Sequence, residues 1–134
     1  MKTIYPLSFL LLSVFGFAQE VSLSVKIKNI ASNDGKIYVG VYADEKSFLK
    51  KVYRGNLIEI DGSEAKCEFK LPAGTYAVSI FHDENDNQKF DTGWFGIPIE
   101  DYGTSNNAKG FMGPPKFEDA KIELKENKTI TISL

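Results

Sequence analysis

The sequence predicts an all-β protein: a single Greek-key β-sandwich of about seven antiparallel strands with one long loop rich in glycine, proline and aromatic residues. Three observations lead to this prediction. Apolar and polar residues alternate with a period of two through most of the chain, as in strands with one buried face. Turn-forming Asn, Asp, Gly and Pro residues separate the alternating runs. Helical periodicity is almost absent.

The first two strands show the alternation most clearly. We expect strands at residues 21–28 and 36–43, joined by a hairpin turn at Asn33-Asp34-Gly35, because these residue types tolerate positive φ. The inward positions are Val21, Leu23, Val25, Ile27, Ile37, Val39 and Val41, with Tyr38 and Tyr42 on the opposite face.

The alternation stops after the second strand and then resumes. Asp44 is suited to cap one or two helical turns over residues 44–51, with Phe48 and Leu49 on their apolar side. Five further strands are predicted at residues 57–60, 64–71, 75–81, 121–124 and 129–134. The run at 75–81 has the strongest β-propensity of the chain.

Residues 93–117 follow neither period. They contain five of the eleven glycines and three of the five prolines, together with several aromatic residues. Long irregular loops in compact domains are usually functional or disordered, and aromatic residues argue against disorder. We therefore expect an ordered loop that either binds a ligand or packs its own aromatic residues across a sheet edge.

Residues 1–18 have the pattern of a signal peptide. Lys2 precedes a mostly apolar run at 7–17, and Gly16 and Ala18 form the small-x-small pattern of a cleavage site. We expect cleavage after Ala18, one sandwich domain at 19–134, and export to the periplasm or the extracellular space. The run is short for a bilayer span, and no other stretch approaches that length, so no membrane span is expected in the mature chain.

The net charge argues against a nucleic-acid partner, and the cysteine content excludes an intrachain disulfide. Loss of Lys2 takes the formal net charge from −2 to −3, and the charges are dispersed in sequence, so no nucleic-acid partner is expected. Cys67 is the single cysteine, so the fold has no intrachain disulfide. Because Cys67 shares a strand face with Phe69, we expect it to act as a small buried hydrophobe rather than a reactive thiol.

The segment 83–91 carries the main candidate site. Asp83, Asn85, Asn87 and Asp91 occupy positions 1, 3, 5 and 9 of a calcium-type loop, and Lys89 would contribute its carbonyl oxygen from position 7. Alternate Asp and Asn side chains supply the oxygens that Ca²⁺ prefers. A solvated turn, in which these side chains bind their own backbone, is the alternative interpretation.

Two departures from a complete calcium loop are visible. Position 12 is Trp94, which offers no carboxylate, and no helices flank the loop, so it is not an EF-hand.

His82 precedes the loop and is the single histidine of the chain. A catalytic histidine needs a nucleophile and an orienting carboxylate within reach, so we favour a packing role and expect no enzyme activity; a hydrolase is the remaining alternative.

The aromatic loop carries the second candidate site. Flat aromatic faces with neighbouring amides suit a sugar or a peptide strand. The candidate ligand-binding residues are Trp94, Phe95, Tyr102, Asn106, Asn107 and Phe111.

Several longer motifs resemble a known family. They are Leu71-Pro72-Ala73-Gly74-Thr75-Tyr76, the acidic segment, Tyr102-Gly103-Thr104-Ser105-Asn106-Asn107 and Gly113-Pro114-Pro115-Lys116-Phe117-Glu118-Asp119-Ala120. Together they resemble an exported bacterial family catalogued as domain of unknown function 2141, and the strand entry resembles prealbumin-like and carboxypeptidase-regulatory-like sandwiches. The resemblance implies a fold and an export route but no reaction. It also implies a glycine in the acidic loop where this chain has Gln88.

The sequence therefore favours an exported binding or structural module, with Ca²⁺ in the 83–91 loop as its candidate cofactor. A glycan- or peptide-binding module that uses the aromatic loop is the alternative. The identity of the ligand and the oligomeric state stay open at this level.

Overall fold

The structure, a computed structural model, describes residues 19–84, 100–110 and 113–134. Within these ranges the chain forms eight strands in two sheets, which confirms the predicted all-β sandwich. The elements are β1 (Glu20–Lys28), β2 (Lys36–Tyr42), β3 (Arg54–Ile58), β4 (Ala65–Pro72), β5 (Gly74–Asp83), β6 (Tyr102–Thr104), a 3₁₀ turn (Ser105–Asn107), α1 (Phe117–Ala120), β7 (Ile122–Leu124) and β8 (Lys128–Ser133).

The two sheets differ in size and in strand direction. The smaller sheet has the order β4-β1-β8, and the larger has the order β3-β2-β5-β6, with β7 also pairing with β5. β1 and β8 run parallel, from Leu23 opposite Lys128 to Lys28 opposite Ser133. The expectation of antiparallel strands throughout was therefore wrong for this pair, because alternation within a strand carries no information about the direction of its neighbour.

Connections between the sheets build the sandwich. β1 to β2, β3 to β4, β4 to β5 and β7 to β8 each cross from one sheet to the other. The hairpin predicted at Asn33-Asp34-Gly35 was therefore wrong: the turn is present, with Gly35 at φ +68°, but it leads to the opposite sheet. A strand with one apolar face can bury that face against a facing sheet, and the crossover provides this packing.

The core lies between the inner faces of the sheets. Its fully buried side chains come from both sheets and include Leu23, Val25, Ile27, Ile37, Val39, Val41, Leu71, Val78, Leu124 and Ile132. Burial of each such side chain contributes about 1.5–3 kcal/mol. The predicted inward positions of the first two strands are confirmed.

A second apolar cluster covers one end of the larger sheet on its outer face. Tyr42 and Ala77 project from the sheet and pack against Phe48 and Ala120. Phe48 stands edge-on to Tyr42, with ring centroids 5.4 Å apart. The segments 44–51 and 117–120 are thereby held against the sheet.

The segment 44–51 contains turns rather than the predicted helix. Asp44 caps it as expected, since its Oδ1 accepts the Ser47 N–H at 2.8 Å, and these hydrogen bonds hold the pKa of the Asp44 carboxyl below its usual value. The Lys51 N–H donates to the Ser47 carbonyl and closes a five-residue turn that contains Leu49. Leu49 then adopts φ +60°, a left-handed conformation from which a right-handed helix cannot continue.

The long loop also has more structure than the sequence suggested. β6 pairs with β5 from Ser79 opposite Thr104 to Phe81 opposite Tyr102, and a 3₁₀ turn follows at once. The expectation of a fully irregular segment at 93–117 was wrong for residues 102–107. Three residues are too few to show a recognisable alternation.

Candidate functional site

The candidate metal loop begins inside β5. Asp83 is the last residue of this strand and pairs with Lys36 of β2, and it is fully buried. Position 1 of the predicted calcium loop is therefore held by the sheet rather than by a solvated turn. The other predicted metal-binding positions, Asn85, Asn87, Lys89 and Asp91, lie outside the described residues.

Gly35 permits the close approach of the β1–β2 turn to this end of β5. A β-carbon at Gly35 would lie 1.8 Å from the Asp83 carbonyl oxygen, and the residue has φ +68°. Glycine is thus required twice, for its backbone conformation and for space. The predicted hairpin turn instead anchors the end of the strand that carries Asp83.

Glu100, which follows residues 85–99 in the chain, lies at the same end of the larger sheet. Glu100 is 8% exposed, and its Oε2 accepts the Glu84 N–H at 3.2 Å. The neighbouring Asp101 carbonyl accepts the His82 N–H at 2.9 Å. The chain before and after residues 85–99 is therefore bonded together, with the buried carboxylates of Asp83 and Glu100 at these two ends.

His82 lies between the sheets, one residue before Asp83. Its ring is fully buried, and Nε2 lies 2.6 Å from the Asp34 carbonyl oxygen. Because a carbonyl oxygen only accepts, Nε2 carries the hydrogen. Nδ1 lies 3.6 Å from Glu84 Oε1 and has no hydrogen-bond partner among the described residues. The ring is thus packed in the interior, in the position that a structural histidine takes.

This arrangement suits a hard cation better than a soft one. Buried carboxylates and backbone carbonyls are oxygen ligands, which Ca²⁺ prefers. Across the described ranges, no group of three His, Cys, Asp or Glu side chains is placed to hold a metal ion. A cation here would therefore need oxygens from the acidic segment in addition to those of Asp83 and Glu100.

Two residues of the candidate ligand loop are bonded within the protein. Asn106 Nδ2 donates to the carbonyl oxygens of Asp119 and Lys121, at 3.2 and 2.9 Å. Asn107 Oδ1 accepts the Ser133 N–H at 3.1 Å. Both residues have left-handed backbones, at φ 60° and 50°, a conformation that Asn tolerates better than most residues. Their amides hold the 3₁₀ turn against α1 and β8.

Of the aromatic members of that candidate set, Tyr102 alone lies within the described residues. Tyr102 lies on β6 and is 45% exposed, so part of its ring faces solvent. Trp94, Phe95 and Phe111 lie outside the described residues. The structure therefore places one candidate aromatic surface, on a short strand at the edge of the larger sheet.

Ser105 occupies a gap in the edge of β5. β7 pairs with β5 at residues 74–76 and β6 pairs with it at residues 79–81, which leaves the Val78 N–H between them. Ser105 Oγ accepts this N–H at 2.9 Å and donates to the Ala120 carbonyl at 2.5 Å, and the residue is fully buried. The serine thus completes the hydrogen bonding of a strand edge that no single neighbour covers.

Sequence reasoning had no signal for the roles of Glu100 and Ser105. Both lie in the segment without periodicity, where a buried position cannot be distinguished from an exposed one. The Tyr102–Asn107 motif was noticeable, but its polar residues resembled ligand contacts as much as internal bonds.

Cys67 lies on β4 opposite Val25 and packs against the core from a partly buried position. Burial raises the pKa of its thiol to about 11, so the thiol is protonated at neutral pH. This environment agrees with a packing role.

Comparison with known proteins gives a family but no activity. Residues 25–132 match a family described as uncharacterized protein conserved in bacteria (DUF2141), and the chain belongs to this family. No curated protein and no solved structure matches the chain. In the ranges that the structure describes, no helix has the length and apolar character needed to cross a bilayer.

Proposed function

We propose that this family member is an exported binding or structural module in which a Ca²⁺ ion stabilises the segment after β5. The observation that carries the proposal is the burial of two carboxylates, Asp83 and Glu100, at the base of an oxygen-rich segment. Carboxylates in protein interiors are usually paired or coordinate metals, because their desolvation is otherwise costly.

Glu100 strengthens the calcium interpretation of the loop. The loop pattern lacks a carboxylate at position 12, where the chain has Trp94. Glu100 returns to the loop base through its bond to the Glu84 N–H, so it can supply the missing acidic ligand from outside the loop. In this proposal Asp83, Asn85, Asn87, Asp91 and Glu100 contribute side-chain oxygens and Lys89 its carbonyl oxygen.

The bound ion would have a structural effect. It would neutralise the two buried carboxylates and join the strand end to the segment that leaves it. The proposal assigns no catalytic role to His82, whose ring is fully buried.

Thermal unfolding tests the calcium site. A ligand that binds the native state alone stabilises it by about 2.7 kcal/mol at one hundred times its Kd. We expect millimolar Ca²⁺ to raise the unfolding midpoint by several degrees relative to EGTA. An unchanged midpoint across this range of Ca²⁺ concentration would sink the proposal.

Variants identify the ligands. Asp83→Asn and Glu100→Gln should each reduce Ca²⁺ binding, measured by calorimetry, by at least tenfold. The matched control is Asp44→Asn, which alters an exposed carboxylate that caps the distant 44–51 segment. Equal loss of binding in the control would assign the effect to net charge rather than to a site.

Export is tested by the N-terminus of the mature protein. We expect the intact protein recovered from outside the cytoplasm to have the mass of a chain that begins at Gln19. A protein that keeps residues 1–18 and stays in the cytoplasm would contradict the proposal.

Exposed Tyr102 favours a second candidate function, the binding of a glycan or peptide at the aromatic loop. Ligands from a glycan and peptide panel should then quench the fluorescence of Trp94, the single tryptophan. Tyr102→Ala should weaken that binding about tenfold, as loss of one stacking ring would. Blue-shifted emission that no ligand alters would show instead that the loop packs on itself.

A further inference from the structure

The outer face of the smaller sheet carries a concentration of lysines that the linear sequence does not show. β1 contributes Lys26 and Lys28 to this face, and β4 contributes Lys66 and Lys70. All four are exposed. Alternation along each strand separates them in sequence by inward apolar residues, but the sheet brings them together.

Strand register places two of these lysines side by side. Lys26 lies directly opposite Lys66 in the β1–β4 pair, which puts their β-carbons about 5 Å apart. Lys28 lies two residues further along β1, about 6.6 Å away. Like charges directly opposite each other destabilise a sheet, so this arrangement is not explained by folding.

Acidic neighbours leave this group of three lysines positive. Glu68 projects from the same face, but it pairs with Lys70 at 3.2 Å. Glu20 lies at the other end of β1, and Glu64 directly precedes β4, two residues before Lys66. In the described part of the chain, Lys26, Lys28 and Lys66 have no carboxylate within ion-pair distance. The face is thus locally cationic on a chain of net charge −2.

Hydroxyl groups lie beside the β1 lysines on the side of β8. In the parallel β1–β8 pair, Ser24 lies opposite Thr129, Lys26 opposite Thr131 and Lys28 opposite Ser133. These side chains donate and accept hydrogen bonds. The result is a surface in which the lysines of β4 and β1 lie beside a row of hydroxyls on β8.

A polar cleft of about 520 Å³ continues from this face. Ser22 and Lys70 of the face form one side of the cleft, and Lys125 and Asn127 line it further along, together with the carboxylates of Glu20 and Glu126. A chain-like ligand that follows β1 from Lys28 to Ser22 would cover about 20 Å and then enter the cleft.

We propose that this cationic face binds a linear acidic polysaccharide. Carboxylates of the polymer would pair with Lys26, Lys28 and Lys66, and its hydroxyls would bond to the serine and threonine rows. Along the completely described strands β1, β4 and β8, no outward position is aromatic. A membrane surface or a single-stranded nucleic acid would call for apolar or stacking side chains there.

The proposal is independent of the calcium site, which lies in the larger sheet. The experiment therefore uses EDTA throughout, so that calcium binding contributes nothing to its outcome. Polygalacturonate, a linear uronic acid polymer, is titrated into the mature protein, with dextran as the neutral comparison. We expect saturable binding of the uronate alone, weakening as salt is raised.

A double variant tests the site. Lys26→Thr with Lys66→Thr should weaken polygalacturonate binding at least tenfold without lowering the unfolding midpoint, because Thr suits strands and a like-charge contact is removed. The matched control is Lys50→Thr with Lys51→Thr, two exposed lysines on the distant 44–51 turns. Single Lys28→Gln, with a smaller loss of about threefold, gives a second measurement if the double variant does not fold.

Three results would overturn the proposal. The first is that polygalacturonate does not bind, or that dextran binds equally well. The second is that the Lys50/Lys51 control loses as much polygalacturonate binding as the Lys26/Lys66 variant. The third is that the protein binds anionic phospholipid vesicles and not the polymer.

Discussion

Two groups of buried polar side chains lie at different points along β5, and they differ in how their hydrogen bonds are met. Ser105 is placed between a strand N–H and a helix carbonyl, and it is bonded to both. At the end of the strand, His82 and Asp83 are also fully buried. There His82 Nδ1 lies 3.6 Å from a carboxylate oxygen of Glu84 and has no hydrogen-bond partner in the part of the chain that the structure describes.

The difference distinguishes buried polar groups that complete the fold from buried polar groups that belong to a candidate site. A buried polar group whose partners are all backbone atoms of neighbouring elements completes the fold. Acidic groups collected at a strand end are instead what the proposed calcium site requires. We therefore expect the Ser105 group to control stability and the Asp83 group to control ligand response.

The largest effect is expected from Gly35→Ala, which disrupts the Asp83 end. The new β-carbon would collide with the Asp83 carbonyl oxygen and would also need a left-handed backbone. These two costs add to about 3 kcal/mol or more, measured by urea unfolding.

Gly62→Ala is the matched control for this glycine. Gly62 has nearly the same backbone, at φ +67°, but open space around it. It should lose only the conformational part, about 1–2 kcal/mol. Equal losses in the two variants would show that contact between the β1–β2 turn and Asp83 does not hold this end of the sheet.

Ser105→Ala should have the next largest effect. The change leaves the Val78 N–H and the Ala120 carbonyl buried without their partner, at a cost of about 2–4 kcal/mol. Exposed Ser63 provides the control, since Ser63→Ala should change the free energy of unfolding by about 0.5 kcal/mol or less. A small loss of stability in Ser105→Ala would show that the hydrogen bonds of Ser105 do not hold the fold together.

Tyr42→Phe should cost about 1 kcal/mol, because Tyr42 is buried and its hydroxyl lies 3.0 Å from Ser79 Oγ. The variant should also change the alkaline stability profile. Burial raises the pKa of Tyr42 above its usual value near 10, although the Ser79 bond acts in the opposite direction. The folded state therefore holds this proton more tightly than the unfolded state does.

The sign of the alkaline effect follows from linkage. The contribution of Tyr42 is fully present below pH 10 and is lost as pH rises through the higher folded pKa. Tyr42→Phe should thus flatten the decline in stability above pH 10, and the half-exposed Tyr53, changed to Phe, should leave it in place. Parallel profiles for wild type and Tyr42→Phe would contradict the assignment.

His82→Phe should have the smallest effect on stability. It removes one hydrogen bond to the carbonyl of the exposed Asp34, which water can replace, and it also removes the unsatisfied Nδ1. We expect a change within about 1 kcal/mol. A loss as large as that of Ser105→Ala would mean that the two groups of buried polar residues serve the fold equally.

Much of the fold was predictable because strands with one buried face alternate. The inward residues of β1 and β2, the position of β5 and the cap at Asp44 all follow from local patterns. The 44–51 segment shows the limit: its cap and its apolar Phe48 were predicted, but the left-handed Leu49 that stops the helix was not. The side of the sandwich to which each turn leads was not predictable either, since a turn of the same composition can close a hairpin or cross between sheets.

The residues of the candidate sites also divide into those that local spacing reveals and those that only the fold brings together. The acidic positions 83–91 are visible in the sequence because their spacing is local. Glu100 is not, because it joins that site through a long-range contact. The lysines of the smaller sheet were judged dispersed, and along the chain they are.

The amino-acid sequence by itself determined which residues face inward, where the strands occur and where oxygen-bearing side chains are concentrated, because these properties depend on neighbours within a few positions. Only the tertiary structure decided that Asp83 is buried, that Ser105 completes a strand edge, that β8 runs parallel to β1, and that Lys26 lies beside Lys66. Each of these depends on which strands become neighbours, and burial of apolar faces across the whole sandwich selects those neighbours.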